Sequence, residues 1–151
     1  MTKLFLSGPL FTVAEREFNA GLARFLEAHG FEVWLPQERA TRGGAKAIFH
    51  NCVRGIEWAD AVVACMDGSD PDSGTAWEVG YAYAKGKPII SYRSDFREVG
   101  DAKGAPYNLM LSEAATARIQ LTSKATAVDL HRQVLAQIRK TLRAKPAKRQ
   151  A

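Results

Sequence analysis

Four carboxylates crowd one short stretch of this 151-residue chain. Asp67, Asp70 and Asp72 lie in Asp67-Gly-Ser-Asp-Pro-Asp-Ser-Gly74, a segment rich in turn residues, and Glu78 follows. A carboxylate at the start of a helix is favoured by the helix dipole and can face a ligand in its ionised form. Placed beside an anomeric carbon, it can stabilise the oxocarbenium-like state of glycosidic cleavage or capture it as a covalent ester. A plainer reading competes. Thr75-Ala-Trp-Glu78 matches a capping box, in which Glu78 would only bond the backbone at Thr75, and Asp72 or Ser73 could be a simple N-cap.

Other chemistries find less support. His29, His50 and His131 are scattered, with no carboxylate or cysteine at metal-ligand spacing, so no metal is expected. Gly-x-Gly-x-x-Gly is missing, and so is Gly-x-Ser-x-Gly around Ser7. The stretch from Gly80 to Lys87 has the wrong spacing for a phosphate loop. Cys52 and Cys65 stand in apolar surroundings and read as reduced, buried thiols.

The elements that must position the acids alternate between strand and helix. Leu4 to Ser7 is a short apolar strand meeting the turn signal Gly8-Pro9. Phe18, Leu22, Phe25 and Leu26 share a helical face that ends near Gly30. Phe31 to Leu35 reads as a second strand, followed by a polar loop over 37–44. A helix from Ala45 to Trp58 is expected to turn Ile48, Val53 and Ile56 inward. Ala61 to Met66 is the most apolar strand, hence central and covered on both faces. A helix with Trp77, Tyr81 and Ala84 on one side ends at Gly86. Pro88 to Tyr92 is the fourth strand, 93–106 a loop and 107–112 a short helical turn. Ala117 to Leu121 is the fifth strand, and a helix from about Ala125 to Leu142 groups Val128, Leu135, Ile138 and Leu142.

This order implies right-handed crossovers and a single-domain α/β fold. The expected form is a five-stranded parallel doubly wound sheet, flavodoxin-like, with order 2-1-3-4-5. Ligands bind such sheets beyond the carboxyl ends of the strands, where the order reverses. That crevice lies between the first and third strands, and the loops reaching it are Ser7 to Phe11 and Asp67 to Gly74.

Composition bounds the rest. The chain is 46% apolar and 25% charged, with no apolar run as long as a membrane span and no signal-peptide core, so a cytoplasmic protein away from membranes is expected. The net charge of +5 is concentrated at the end: residues 131–151 carry seven Lys or Arg and no acid, leaving 14 basic and 16 acidic residues elsewhere. The body, −2 by that count, has no basic patch with aromatic platforms, so nucleic-acid binding is not expected. The domain is expected to span 1–143, with 144–151 as a basic tail.

Several segments together resemble the nucleoside 2-deoxyribosyltransferase family. They are Leu4-Phe-Leu-Ser-Gly-Pro9, Asn51 with Ile56 to Val63, Pro71-Asp-Ser-Gly-Thr-Ala-Trp-Glu-Val-Gly80 with Lys87-Pro88, and Tyr107-Asn-Leu-Met110. The resemblance implies that Glu78 is the nucleophile that holds the deoxyribosyl ester and that Asp72 binds the 5′-hydroxyl. Asn108 would be lent to a neighbouring subunit's site, making a homo-oligomer. Ser7, Gly8 and Pro9 would line the pocket, and Asn51, Ser73 and Gly74 would join the substrate-binding set. The reaction would be a ping-pong transfer between 2′-deoxynucleosides and free nucleobases, in nucleotide salvage, with no metal or organic cofactor.

Two positions depart from the family pattern. Phe5 stands where many members have a tyrosine hydrogen-bonded to the nucleophile. Cys52 stands where some members have an aspartate that handles the leaving base. Two alternatives accompany this reading. One is hydrolysis of 2′-deoxynucleoside 5′-monophosphates, for which Arg93 and Arg97 are candidate phosphate ligands, although surface charges are their simpler role. Pro9, Leu10 and Phe11 in the first loop, and the charge of Asp72, suit an uncharged 5′-hydroxyl better. The other alternative is a non-catalytic nucleotide-binding module, against which the joint presence of Asp72, Glu78 and Asn108 argues.

Overall fold

The first strand sorts its side chains onto two faces. In β1 (Thr2–Ser7), Leu4 and Leu6 enter one hydrophobic core and Phe5 enters the other. Successive strand residues point to opposite faces, so Ser7 falls on the side of Phe5. A strand buried on both faces belongs inside a parallel sheet. In the computed structural model, which describes residues 1–39 and 43–144, β1 is flanked by β2 (Phe31–Trp34) and β3 (Ala61–Cys65). Beyond β3 come β4 (Ile89–Arg93) and β5 (Ala117–Gln120), giving the order β2-β1-β3-β4-β5 with every pair parallel. This is the expected flavodoxin-like doubly wound sheet, with its order reversing between β1 and β3.

Helices cover both faces. The helices α1 (Val13–Ala28) and α6 (Ala127–Arg143) close one core, around Leu22, Leu26, Val63, Ile90, Leu130 and Ile138. The helices α3 (Ala45–Trp58), α4 (Ser73–Ala84) and α5 (Leu109–Ala114) close the other, around Ile56, Val62, Met66, Val79 and Tyr107. Capping boxes start α1 at Thr12/Glu15 and α6 at Thr126/Asp129. Gly55 lets α3 approach the sheet: a Cβ there would lie 2.8 Å from the Phe5 ring and 2.7 Å from Trp34 Nε1.

Several local expectations are corrected. Residues 37–39 of the expected polar loop join Pro36 in a helical turn, α2 (Pro36–Arg39). Ile48 faces outward with Phe49, whereas Ile56 is buried as expected, together with Gly55. Val128 is likewise exposed, while Leu130 and Val134 carry the inner face of α6. On α4, Trp77 and Tyr81 share one side as expected and stack on each other, while the buried face is Thr75, Val79 and Ala82. In α3 and α6 the corrected residues, Ile48 and Val128, stand in the first turn, where the helical period fits an outer apolar residue as well as an inner one. The expected basic tail, from 145 onward, lies outside the described residues, as do 40–42.

Among the described residues no helix is long and apolar enough to cross a membrane. Cys52 and Cys65 are both free thiols, half-buried and buried respectively.

Candidate active site

Glu78 projects from the second turn of α4 towards the end of β1. There the Ser7 hydroxyl donates to Glu78 Oε2 at 2.5 Å. Ser7 is the last residue of β1 and is buried. The Cys52 thiol, on α3, makes a second hydrogen bond to the Glu78 carboxylate. Three elements separated in the chain therefore meet at one half-buried acid.

The surroundings of Glu78 set its proton affinity. Burial pushes its carboxyl up, from an ordinary 4.5 to about 6; the Ser7 and Cys52 hydrogen bonds pull it down, and the Asp72 charge pushes it further up. The helix dipole does not keep this acid at its ordinary value, because Glu78 lies beyond the first turn of α4, where the dipole acts. A group titrating near 6 is still about nine-tenths ionised at pH 7. It can act as a nucleophile there while being more basic than a solvated carboxylate. Cys52 is pushed the other way, to about 12, by burial and then by Glu78, so at neutral pH it keeps its proton.

Asp72 is the N-cap of α4. Its Oδ2 accepts from the Thr75 backbone N–H at 2.8 Å and from Thr75 Oγ1 at 3.1 Å. The simple cap was thus a sound reading for Asp72, whereas the capping box between Thr75 and Glu78 is not formed. Ser73 and Gly74 form the exposed first turn of the helix next to it. Asp67 serves the scaffold: it accepts from the Ser94 N–H, the Ser94 hydroxyl and the Asp95 N–H, at 2.6, 2.5 and 2.9 Å. Asp70 is exposed.

The first loop contributes Gly8 and Pro9. A Cβ on Gly8 would sit 3.1 Å from that of Cys65, which keeps the loop close to the end of β3. The Pro9 carbonyl accepts from Asn19 Nδ2 at 2.9 Å. Pro9 also lines a cavity of about 300 Å³ with Phe18, Asn19, Asp67 and Gly68. Asn51, one residue before Cys52, donates to the Arg39 carbonyl at 2.8 Å.

Asn108 lies apart. It caps α5, accepting from the Met110 N–H at 3.0 Å and donating to Asp101 at 3.1 Å. Among the described residues, no hydrogen bond or ion pair links it to Ser7, Asp72 or Glu78. Phe5 is wholly buried against Trp34 and Gly55 and offers no polar group to the site.

Two features escape a reading of the sequence. The first is the bond from Ser7 to Glu78, which follows from Ser7 sharing the face of Phe5 two positions further along β1. The second is Arg93. Neither a loop residue nor a surface charge, it ends β4 and is wholly buried. It donates to the carbonyls of Met66, Gly68 and Arg97 and pairs with Asp95. It thereby fastens the loop that leads to Asp72. Arg97 is exposed and forked onto Asp95.

Comparison with known proteins bears on the family and the fold. The family model described as nucleoside 2-deoxyribosyltransferase matches residues 4–110. No curated protein sequence matches the chain. Among solved structures, a 2-deoxyribosyltransferase from Bacillus psychrosaccharolyticus is 25% identical, with 86% of this chain and 90% of that one covered and a TM-score of 0.67. A 2-deoxyribosyltransferase from Leishmania mexicana is 22% identical, with 89% and 98% covered and a TM-score of 0.66. A CMP N-glycosidase from Clostridium botulinum is 19% identical, with 89% and 99% covered and a TM-score of 0.65, and shares the fold. The family match includes Leu4 to Ser7 of β1, with β3 and all of α4, the elements that bring Ser7 and Glu78 together, and the chain belongs to the nucleoside 2-deoxyribosyltransferase family.

Proposed function

We propose that this protein transfers 2-deoxyribose between nucleobases, with Glu78 as the nucleophile. One observation carries the reading: a half-buried carboxylate stands at the switch point of the sheet with hydroxyl and thiol donors and, among the described residues, no cation paired to it. Such a group is ionised at neutral pH and weakly neutralised, as attack on an anomeric carbon requires.

In the first half-reaction, a Glu78 oxygen forms a bond to C1′. The C1′–N bond breaks, and its electron pair stays on the departing base, which takes up a proton from water, the Cys52 thiol being too weak an acid to give one. In the second, a ring nitrogen of the incoming base attacks C1′ and loses its proton, and the ester electron pair returns to Glu78. Two inversions give net retention. Asp72, at the mouth of the same helix, receives the 5′-hydroxyl. No step calls on a metal or an organic cofactor.

Asn108 fits this scheme as a residue donated to another subunit's site. It makes no polar contact with Glu78 in its own chain, and exposed Leu109 and Met110 beside it offer apolar surface to a second copy. The site is then completed in a homo-oligomer.

Cleavage of a nucleoside 5′-monophosphate by water is the competing outcome. It has less support, because Arg93 is buried on backbone carbonyls and Arg97 is paired with Asp95, which leaves neither as an open phosphate ligand. The deciding experiment incubates the protein with thymidine or deoxyadenosine and a second free base. A new deoxynucleoside is the expected product. Free deoxyribose alone, or turnover restricted to the 5′-monophosphate, overturns the transfer reading.

A further inference from the structure

A buried hydroxyl at the end of a strand is costly unless it finds a partner. Ser7 is 3% exposed, and its partner is Glu78 Oε2 at 2.5 Å. That separation is in the range of an O–H donor on a charged acceptor. An ionised carboxylate can only accept, so the proton belongs to Ser7. The position matters as much as the distance. Phe5 and Ser7 share one face of β1, the face covered by α3 and α4. Phe5 has no donor and is packed under Gly55 and Trp34, so the hydroxyl on this face sits two residues further along, at the carboxyl end.

We propose that Ser7 is the positioning residue of the nucleophile: its hydroxyl holds Oε2 of Glu78, fixing the plane of the carboxylate and favouring its ionised form. The inference rests on the reading of Glu78 as nucleophile for its catalytic meaning, though not for the hydrogen bond itself. Through the first half-reaction the bond persists, with the acceptor changing from carboxylate oxygen to the carbonyl oxygen of the ester when the other oxygen bonds C1′. The charge that returns to Glu78 in the second half-reaction is met by a donor already in place, which needs no reorganisation.

The other groups facing Glu78 cannot take over. Cys52 on α3 is a thiol and a weak donor. Asp72, in the loop before α4, carries a like charge and raises the proton affinity of Glu78. Removing the Ser7 hydroxyl leaves burial and Asp72 opposed by Cys52 alone.

The test follows the Glu78 carboxyl by ¹³C NMR on glutamate-labelled protein, with Glu78→Gln to assign the resonance. Wild type, Ser7→Ala and Ser7→Cys are compared. In Ser7→Ala the titration midpoint is expected to rise by about one unit, and in Ser7→Cys by less. The acid limb of kcat/KM should move with it, so that activity falls roughly fivefold at pH 6 and hardly at all at pH 8. Thermal melting establishes that the variants fold. Ser7→Cys, nearly equal in volume, decides the matter if Ser7→Ala does not fold. A midpoint unchanged from wild type in a folded variant overturns the assignment. Full activity in Glu78→Ala would instead overturn the nucleophile reading, and the titration would still decide the role of Ser7.

Discussion

Two acids on the carboxyl edge of the same sheet have opposite surroundings. Glu78 meets a hydroxyl and a thiol, and its burial raises its proton affinity to about 6. Asp95, two residues past β4, is gripped by Arg97 through Nε at 2.9 Å and through a second nitrogen at 2.5 Å, with Arg93 at 3.4 Å. Those hydrogen bonds hold its carboxyl well below the ordinary aspartate value. A carboxylate neutralised by guanidinium groups is a building element, whereas one that is buried without a cation remains available for chemistry. The pair separates the reactive half of the crevice from the half that holds it rigid.

The strongest way to break this contrast is to remove Glu78. Glu78→Ala should lower deoxyribosyl transfer by more than roughly 1,000-fold, measured by product formation at saturating nucleoside, while the melting temperature stays at or above that of wild type. A comparable loss of activity without any loss of stability is not expected anywhere around Asp95. There the effect should be structural. Arg93→Met strips the partners from the Met66 and Gly68 carbonyls and from Asp95, inside a wholly buried site. It should cost about 3 kcal/mol or more, seen in urea unfolding. Retention of wild-type stability would show that the clamp is dispensable.

A subtler substitution sharpens the comparison through pH. The folded-state value for Glu78 lies above its unfolded value of 4.5, so the fold is favoured when the group is protonated. That contribution is complete below about 4.5 and is lost as the pH rises through about 6. Glu78→Gln mimics the protonated form and should stabilise the protein by about 2 kcal/mol at pH 8, with no gain at pH 4. Asp95 has the reverse sign. Its folded value is depressed, so its contribution is complete above the unfolded value of 3.8 and fades as the pH falls through the acid range. Asp95→Asn should therefore destabilise modestly at pH 7, with the gap to wild type narrowing below pH 4. Its partner Arg97 is 63% exposed, so this is the smallest of the four effects. Parallel pH curves for the two variants would erase the distinction drawn between the acids.

Much of this arrangement is legible in the chain itself. The run Ala61 to Met66, apolar at every position, can only be a strand covered on both faces, and with four others it fixes the sheet order. The segment Asp72 to Glu78 announces both a helix start and an acid one turn further on. The inner faces of α3 and α6 are less legible, because Ile48 and Val128 fit the helical period as well as the residues that are buried. Arg93 was hidden because a sequence shows a charge and not the carbonyls around it.

The local pattern of residues thus determined the strands, the crevice and the cap at Asp72, since period and turn chemistry act over a few neighbours. The meeting of Ser7 with Glu78, 71 positions apart, is a product of the parallel register of β1 and β3 and of the close packing of α4. The burial that moves Glu78 to about 6 arises in the same way. Desolvation and a 2.5 Å hydrogen bond depend on distances between distant segments, and only the tertiary structure sets those distances.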